Sequence, residues 1–200
     1  MENITTFLNQ TAMILPLAFI KFAFLATLGE VIGLRIQKGV FNYKGFGVIP
    51  RAIVWGCLGI FISMAMTIFA SGTPILLTNL GIEVTSEQFG TRLLVAFCTS
   101  LAMNLFFAPV FMTFHKVTDL HIINNGGTVK GLFKPLKFKE IFVGLNWGVL
   151  YGFVFKKTIP FFWIPAHTFT FMLPPQWRVL CAALLGVALG VLLSVAARKQ

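Results

Sequence analysis

Apolar residues run in long unbroken stretches along this chain, and polar residues gather in the gaps between them. The stretches cover residues 13–34, 52–70, 86–114 and 179–197. At about 1.5 Å of rise per residue, each is long enough to cross a hydrocarbon core about 30 Å thick. A fifth stretch, residues 141–155, is short for a span and ends at Lys156 and Lys157. It leads into PFFWIPAHTFTFMLPPQWR, residues 160–178, which is apolar and aromatic yet holds Pro160, Pro165, Pro174 and Pro175. The pattern predicts an all-α polytopic membrane helix bundle in a single domain over residues 1–200, with four apolar spans, one short span and a proline-broken segment.

The punctuation between the stretches refines this reading. Gly72, Pro74 and Gly81 predict a loop after the second span. Thr85 and Gln88 have the spacing of a capping box, which favours a helix start near Ser86. Asn124, Asn125, Gly126 and Gly127 predict a turn. An interior proline costs a helix about 3 kcal/mol. The four prolines of the last stretch therefore predict at least one break, placed at Pro174–Pro175.

Composition supports a lipid solvent. The chain is 57% hydrophobic and 11% charged, with 23 phenylalanines, whereas a soluble domain carries about 25% charged residues. The net charge of +10 would suggest nucleic acid in a soluble protein. Here the basic residues lie between apolar runs, with no basic-aromatic reading surface, so no nucleic-acid partner is expected. The loop after the first span holds Arg35, Lys38, Lys44 and Arg51 and no acid. The loop before the third span is acidic on balance, with Glu83 and Glu87. By the positive-inside rule the first span enters from the outside. Lys156 and Lys157 would then lie outside, against the rule, so the orientation of the last third stays open. Residues 130–139 alternate lysines with Leu132, Phe133, Leu136 and Phe138. Such a segment either attracts anionic lipid at the headgroup level or is a solvated basic loop. The amino-terminal residues, MENITTFLNQTA, have no basic n-region and read as the start of the mature chain. Cys57, Cys98 and Cys181 sit in apolar runs as small fillers, and no cofactor or metal site is expected.

Small residues recur four apart: Gly59, Ser63, Thr67 and Ser71; Ala96, Ser100, Asn104 and Ala108; Ala182, Gly186, Gly190 and Ser194; and Gly29 with Gly33. In lipid such stripes let helices approach closely. The alternative is that Ser63, Thr67 and Ser71 line a wet path. Self-association into an oligomer is left open.

Glu30, Asn104, His167 and Arg178 are the candidate residues lining or bracing a pore. A charge at mid-bilayer costs about 2.5–3.5 kcal/mol. Glu30 and Arg178, if both dehydrated, would pair; otherwise each lies near an interface. Lys21, nine residues before Glu30, points to the opposite face and snorkels outward. Asn104 is expected to hydrogen-bond to a neighbouring helix. Trp163 and His167 share a helical face, with the histidine a hydrogen-bonder or a proton relay.

These residues carry a resemblance. Trp163 and Pro165, then Phe169 and Phe171, then Leu173-Pro174 with Arg178 four residues on, resemble the C-terminal signature of the peroxisomal membrane protein 22 kDa family of peroxisomal and mitochondrial inner-membrane proteins. Gly29-Glu30 looks like that family's Gly-Asp, with Glu30 in place of Asp. Asn104 followed by Ala108-Pro109 looks like its Gln followed by Ala-Pro. Arg51 fits its basic residue before the second span, and Leu193-Ser194 fits its terminal Leu-Ser. The resemblance spans nearly the whole chain and implies a divergent, even bacterial, member. It implies a bacterial inner, mitochondrial inner or peroxisomal membrane, and channel-like or pore-forming passage of small solutes or ions. The alternative is a structural or lipid-interacting bundle without transport. No HExxH, G-x-S-x-G or phosphate-cradling glycine loop appears, so an enzyme is not expected.

Overall fold

A protein segment in hydrocarbon has no water to pair its backbone, so it must close its hydrogen bonds within itself. The chain does this with helices. The computed structural model describes residues 2–198, with side chains from residue 13 to residue 195. The amino-terminal residues 1–12, expected to be the start of the mature chain, therefore lie outside the described side chains. In chain order the elements are α1 (Glu2–Lys38), α2 (Val48–Asn79), α3 (Phe89–Phe106), α4 (Ala108–Asn124), α5 (Val129–Leu132), α6 (Phe138–Val143) and α7 (Trp147–Val149). A π-helical segment, Leu150–Trp163, then leads into α8 (Ile164–Met172), and α9 (Pro175–Arg198) follows.

This is an integral-membrane, all-α helix-bundle protein. Among the described residues, four helical stretches are long and apolar enough to cross a membrane: Met13–Lys38, Val48–Asn79, Phe89–Phe106 and Pro175–Val195. Their outward side chains are what lipid wants. Phe24, Ile68 and Phe106 are 67%, 63% and 74% exposed, which would be costly in water and is neutral among acyl chains.

Several element ends differ from the sequence expectation. α2 does not stop before Gly72 and Pro74 but continues through both to Asn79. Ile75, Leu76 and Leu77 extend its apolar surface, and unwinding would strand backbone groups where no water can pair them. The turn comes at Gly81, with φ +79°. The capping box does not form. Thr85 bonds instead to Glu83, and Gln88 caps α3 with no side-chain hydrogen bond. The third span breaks at Phe107, just before Pro109, whose missing N–H ends the i→i−4 ladder of α3. α4 then carries the chain helically to Asn124, past residue 114 where the third apolar stretch ends. The predicted turn is present, with Gly126 and Gly127 at φ +76° and +66°.

The short fifth span is displaced. α6 ends at Val143, and Asn146 restarts the helix by accepting the Val149 N–H at 3.0 Å. From there α7, the π-helical segment and α8 follow without a gap to Met172, passing Lys156 and Lys157 inside the helix. Pro160 lies within the wide π turns, where the Ile164 N–H donates five residues back to Ile159. Pro165 sits in the first turn of α8, where its missing donor costs nothing. Helix ends only at Leu173, which is extended, ψ 153°. The predicted break before Pro174–Pro175 is therefore present, while Pro160 and Pro165 break nothing.

The chain divides into two compact units. The first comprises Met1–Ser63, Thr118–Leu136 and Val179–Gln200. There α1 approaches its neighbours at glycines. A Cβ on Gly59 would lie 2.5 Å from the Phe22 side chain, and one on Gly29 would lie 2.9 Å from the Val187 backbone. A Cβ on Gly33 would strike Ser194 Oγ at 2.7 Å. The stripe residues Gly29, Gly33, Gly59, Gly190 and Ser194 thus pack helices as expected, whereas Gly186 faces open space. Gln37 donates to Ser194 at 3.1 Å, so α9 runs parallel to α1 in this unit. That fixes the direction of the last span, which ends on the side of the basic 39–47 loop. Gly47 and Gly127 meet at the same end, joining that loop to the turn after α4.

The second unit comprises Met64–Val117 and Lys137–Arg178. Its core is α3 against α8. Ala96, Thr99, Ser100, Met103 and Asn104 form the buried face of α3 at helical spacing. His167, Thr170 and Phe171 form that of α8.

Candidate functional site

Two polar constellations stand out, one in each unit. In the first unit, Arg51 lies at the start of α2 with 6% of its side chain exposed. One guanidinium nitrogen, Nη1, is 2.7 Å from Glu30 Oε2 of α1 and 2.7 Å from Asp119 Oδ1 of α4. Nε donates to the Phe46 carbonyl at 2.9 Å, and the guanidinium lies over the Phe46 ring. The second Glu30 oxygen accepts the Trp55 indole N–H at 2.9 Å. Three helices are thus tied by charge-assisted hydrogen bonds, which are about twice as strong as neutral ones.

This corrects one expectation. Glu30 does brace the fold, but its cation is Arg51, not Arg178. The reason lies in chain geometry: Arg51 follows the 39–47 loop directly, so the start of α2 runs back beside the end of α1. Arg51 was expected as a loop charge and as the basic residue before the second span, and Asp119 was not singled out. The signal that could have found the pair was helical phase. Arg51 and Trp55 are four apart on α2 and so reach the same carboxylate.

In the second unit, Asn104 is fully buried on α3 and does cross to another helix. Its amide presents nitrogen at 3.0 Å and oxygen at 3.3 Å to His167 Nδ1 of α8. It also donates to the Ser100 carbonyl at 2.9 Å, while Ser100 Oγ donates to the Ile164 carbonyl at 2.7 Å. His167 stacks on Trp163, centroids 5.1 Å apart, so the shared face expected of this pair is present. The Trp163 indole nitrogen is buried with no hydrogen-bond partner among the described residues.

Arg178 answers what the proline break costs. Ending a helix at Leu173 strands its last carbonyls. Arg178, in the first turn of α9, reaches back and donates from Nε to Leu173 O at 3.0 Å and from Nη2 to Phe171 O at 3.2 Å. The break is repaired by its own segment, with no acidic partner for Arg178 among the described residues. Pro174 and Pro175 themselves are exposed. Beside them lies a cavity of about 330 Å³, lined by Arg92, Arg178, Glu87, Ser86, Thr99 and Phe171 among others. This volume falls within the roughly 300–1,000 Å³ of small-molecule sites.

Comparison with family models, with curated proteins and with solved structures finds no match. The functional reading therefore rests on the residues themselves.

The wet-path alternative for α2 does not hold together. Ser63 is buried while Thr67 and Ser71 are exposed, so the three hydroxyls do not share one environment. Of the residues expected to line or brace a pore, Asn104 and His167 form one cluster. Arg178 lines the cavity of the same unit, and Glu30 belongs to the Arg51 cluster.

Proposed function

We propose that this protein is a channel-like membrane protein passing small polar solutes or ions, with the Arg178 cavity as a solute-binding chamber. The observation that carries the reading is the cavity itself, a hollow that brings two arginines and a glutamate to one apolar-walled space in a chain otherwise built for lipid. The Arg178 guanidinium is fixed by two backbone carbonyls. A charge held in a lipid-soluble fold is costly and usually serves a solute path. The Trp163 indole N–H, buried in that unit with no hydrogen-bond partner among the described residues, is a place for water. The resemblance to the 22 kDa peroxisomal membrane protein family, with its inner-membrane setting, supports the same function.

Arg178→Ala in reconstituted vesicles is expected to change solute flux or conductance by about tenfold, the effect of losing one charge-assisted contact. Folded wild-type protein that leaves bilayers silent would overturn the reading.

A second reading, a lipid-interacting structural bundle, is favoured by one feature. The joined loops of the first unit gather Arg35, Lys38, Lys44, Lys130 and Lys134. Phe41 and Phe133 beside them are 61% and 76% exposed. That combination suits an anionic headgroup layer, at about 1 kcal/mol per basic residue near the surface. Melting in phosphatidylglycerol nanodiscs is then expected to exceed that in phosphatidylcholine nanodiscs. The gain should shrink in Lys44→Gln with Lys134→Gln, and equal melting in the two lipids would end this reading.

A further inference from the structure

We infer that the cavity beside the α8–α9 break binds a small oxyanion that still carries a hydroxyl: inorganic phosphate or a phosphate monoester. This rests on reading the cavity as a solute chamber and names the chemistry it would select. Arg92 and Arg178 line it together. Two guanidiniums converging on one hollow ask for an anion, because each presents planar N–H pairs matched to oxyanion geometry. The guanidinium of Arg178 is held at Nε and Nη2 by carbonyls, which leaves Nη1 to turn to a ligand at little entropic cost. Among the described residues Arg92 takes part in no ion pair, although Glu87 lines the same cavity.

Glu87 sharpens the selection. An ionised carboxylate only accepts hydrogen bonds, so it repels an anion that has nothing to donate. A hydrogen phosphate or a phosphate monoester keeps a P–O–H at moderately low pH and can donate it to Glu87. Sulfate and phosphate diesters cannot. The site therefore distinguishes oxyanions by protonation as well as by charge. Such a phosphate comes from two sources, free in solution or as the headgroup of phosphatidic acid.

The test uses the full chain in nanodiscs. In phosphatidylcholine discs, inorganic phosphate is expected to raise the melting temperature saturably, and sulfate at equal ionic strength is not. Arg92→Gln touches no described partner, so it should fold, and it should weaken apparent phosphate affinity by about tenfold. Glu87→Gln should narrow the gap between phosphate and sulfate. If free phosphate does nothing but phosphatidic acid stabilises the wild type and not Arg92→Gln, the ligand is the lipid headgroup. Phosphatidylglycerol, a diester, serves as the control. If neither phosphate nor phosphatidic acid acts through Arg92, or if sulfate binds as well as phosphate, the inference is overturned. Binding without flux would leave this site standing and remove the transport reading. Flux indifferent to phosphate and to Arg92→Gln would do the reverse.

Discussion

Arg51→Met is expected to destabilise the protein by about 3–5 kcal/mol, the cost of removing one partner from a buried ion pair. The size follows from the arrangement rather than from the charge alone. One guanidinium nitrogen serves both Glu30 and Asp119 at 2.7 Å. Without it, two carboxylates share a poorly hydrated site and repel one another. Glu30→Gln should cost less, because Arg51 keeps Asp119 and the Phe46 carbonyl. Arg51→Met combined with Glu30→Gln and Asp119→Asn should recover much of the loss, because no buried charge is then left unpaired. Thermal or denaturant unfolding in detergent reads all of these. Unchanged stability in Arg51→Met would mean the cluster is hydrated and does not hold the three helices.

Gly127→Ala is the second large effect, at about 2–5 kcal/mol. Two terms add. The residue sits at φ +66°, where a side chain costs about 1–2 kcal/mol. Its new Cβ would also lie 2.6 Å from the Gly45 carbonyl and 2.8 Å from Gly47 N. These are backbone atoms and cannot swing away, so overpacking of about 1–3 kcal/mol follows. Gly126→Ala is the matched control. Its φ is +76°, but nothing lies within 4 Å of the added carbon, so only the conformational cost of about 1–2 kcal/mol applies. Equal melting of the two variants would show that the loops do not lock together.

Where the sequence misled, the cause was the solvent. Propensities learned in water end a helix at Gly72 and Pro74, yet α2 continues to Asn79. They end the third span at residue 114, yet α4 runs on to Asn124. Lys156 and Lys157 seemed to close a span, yet the helix runs past them to Met172. In each case the intrahelical hydrogen bond outweighs the local penalty, since a lipid-facing coil has nothing else to bond. Leu173–Pro174–Pro175 is the exception, because two adjacent prolines remove consecutive donors and Arg178 supplies replacements. The partners of Asn104 and of the Trp163–His167 face were legible in kind, since a buried amide or imidazole in an apolar helix must find a neighbour.

The amino-acid order by itself determined that this chain lives in lipid, is built of helices, packs them through glycines and breaks before Pro174. Each of those follows from one-dimensional facts: apolar length, residue size and missing N–H groups. Only the tertiary structure decided who meets whom. Arg51 took Glu30 and Asp119, Arg178 took the carbonyls of its own break, and Arg92 came to share a cavity with Arg178. Ion pairs form between whichever helices the small-residue contacts bring together, and a linear string of charges does not encode that choice.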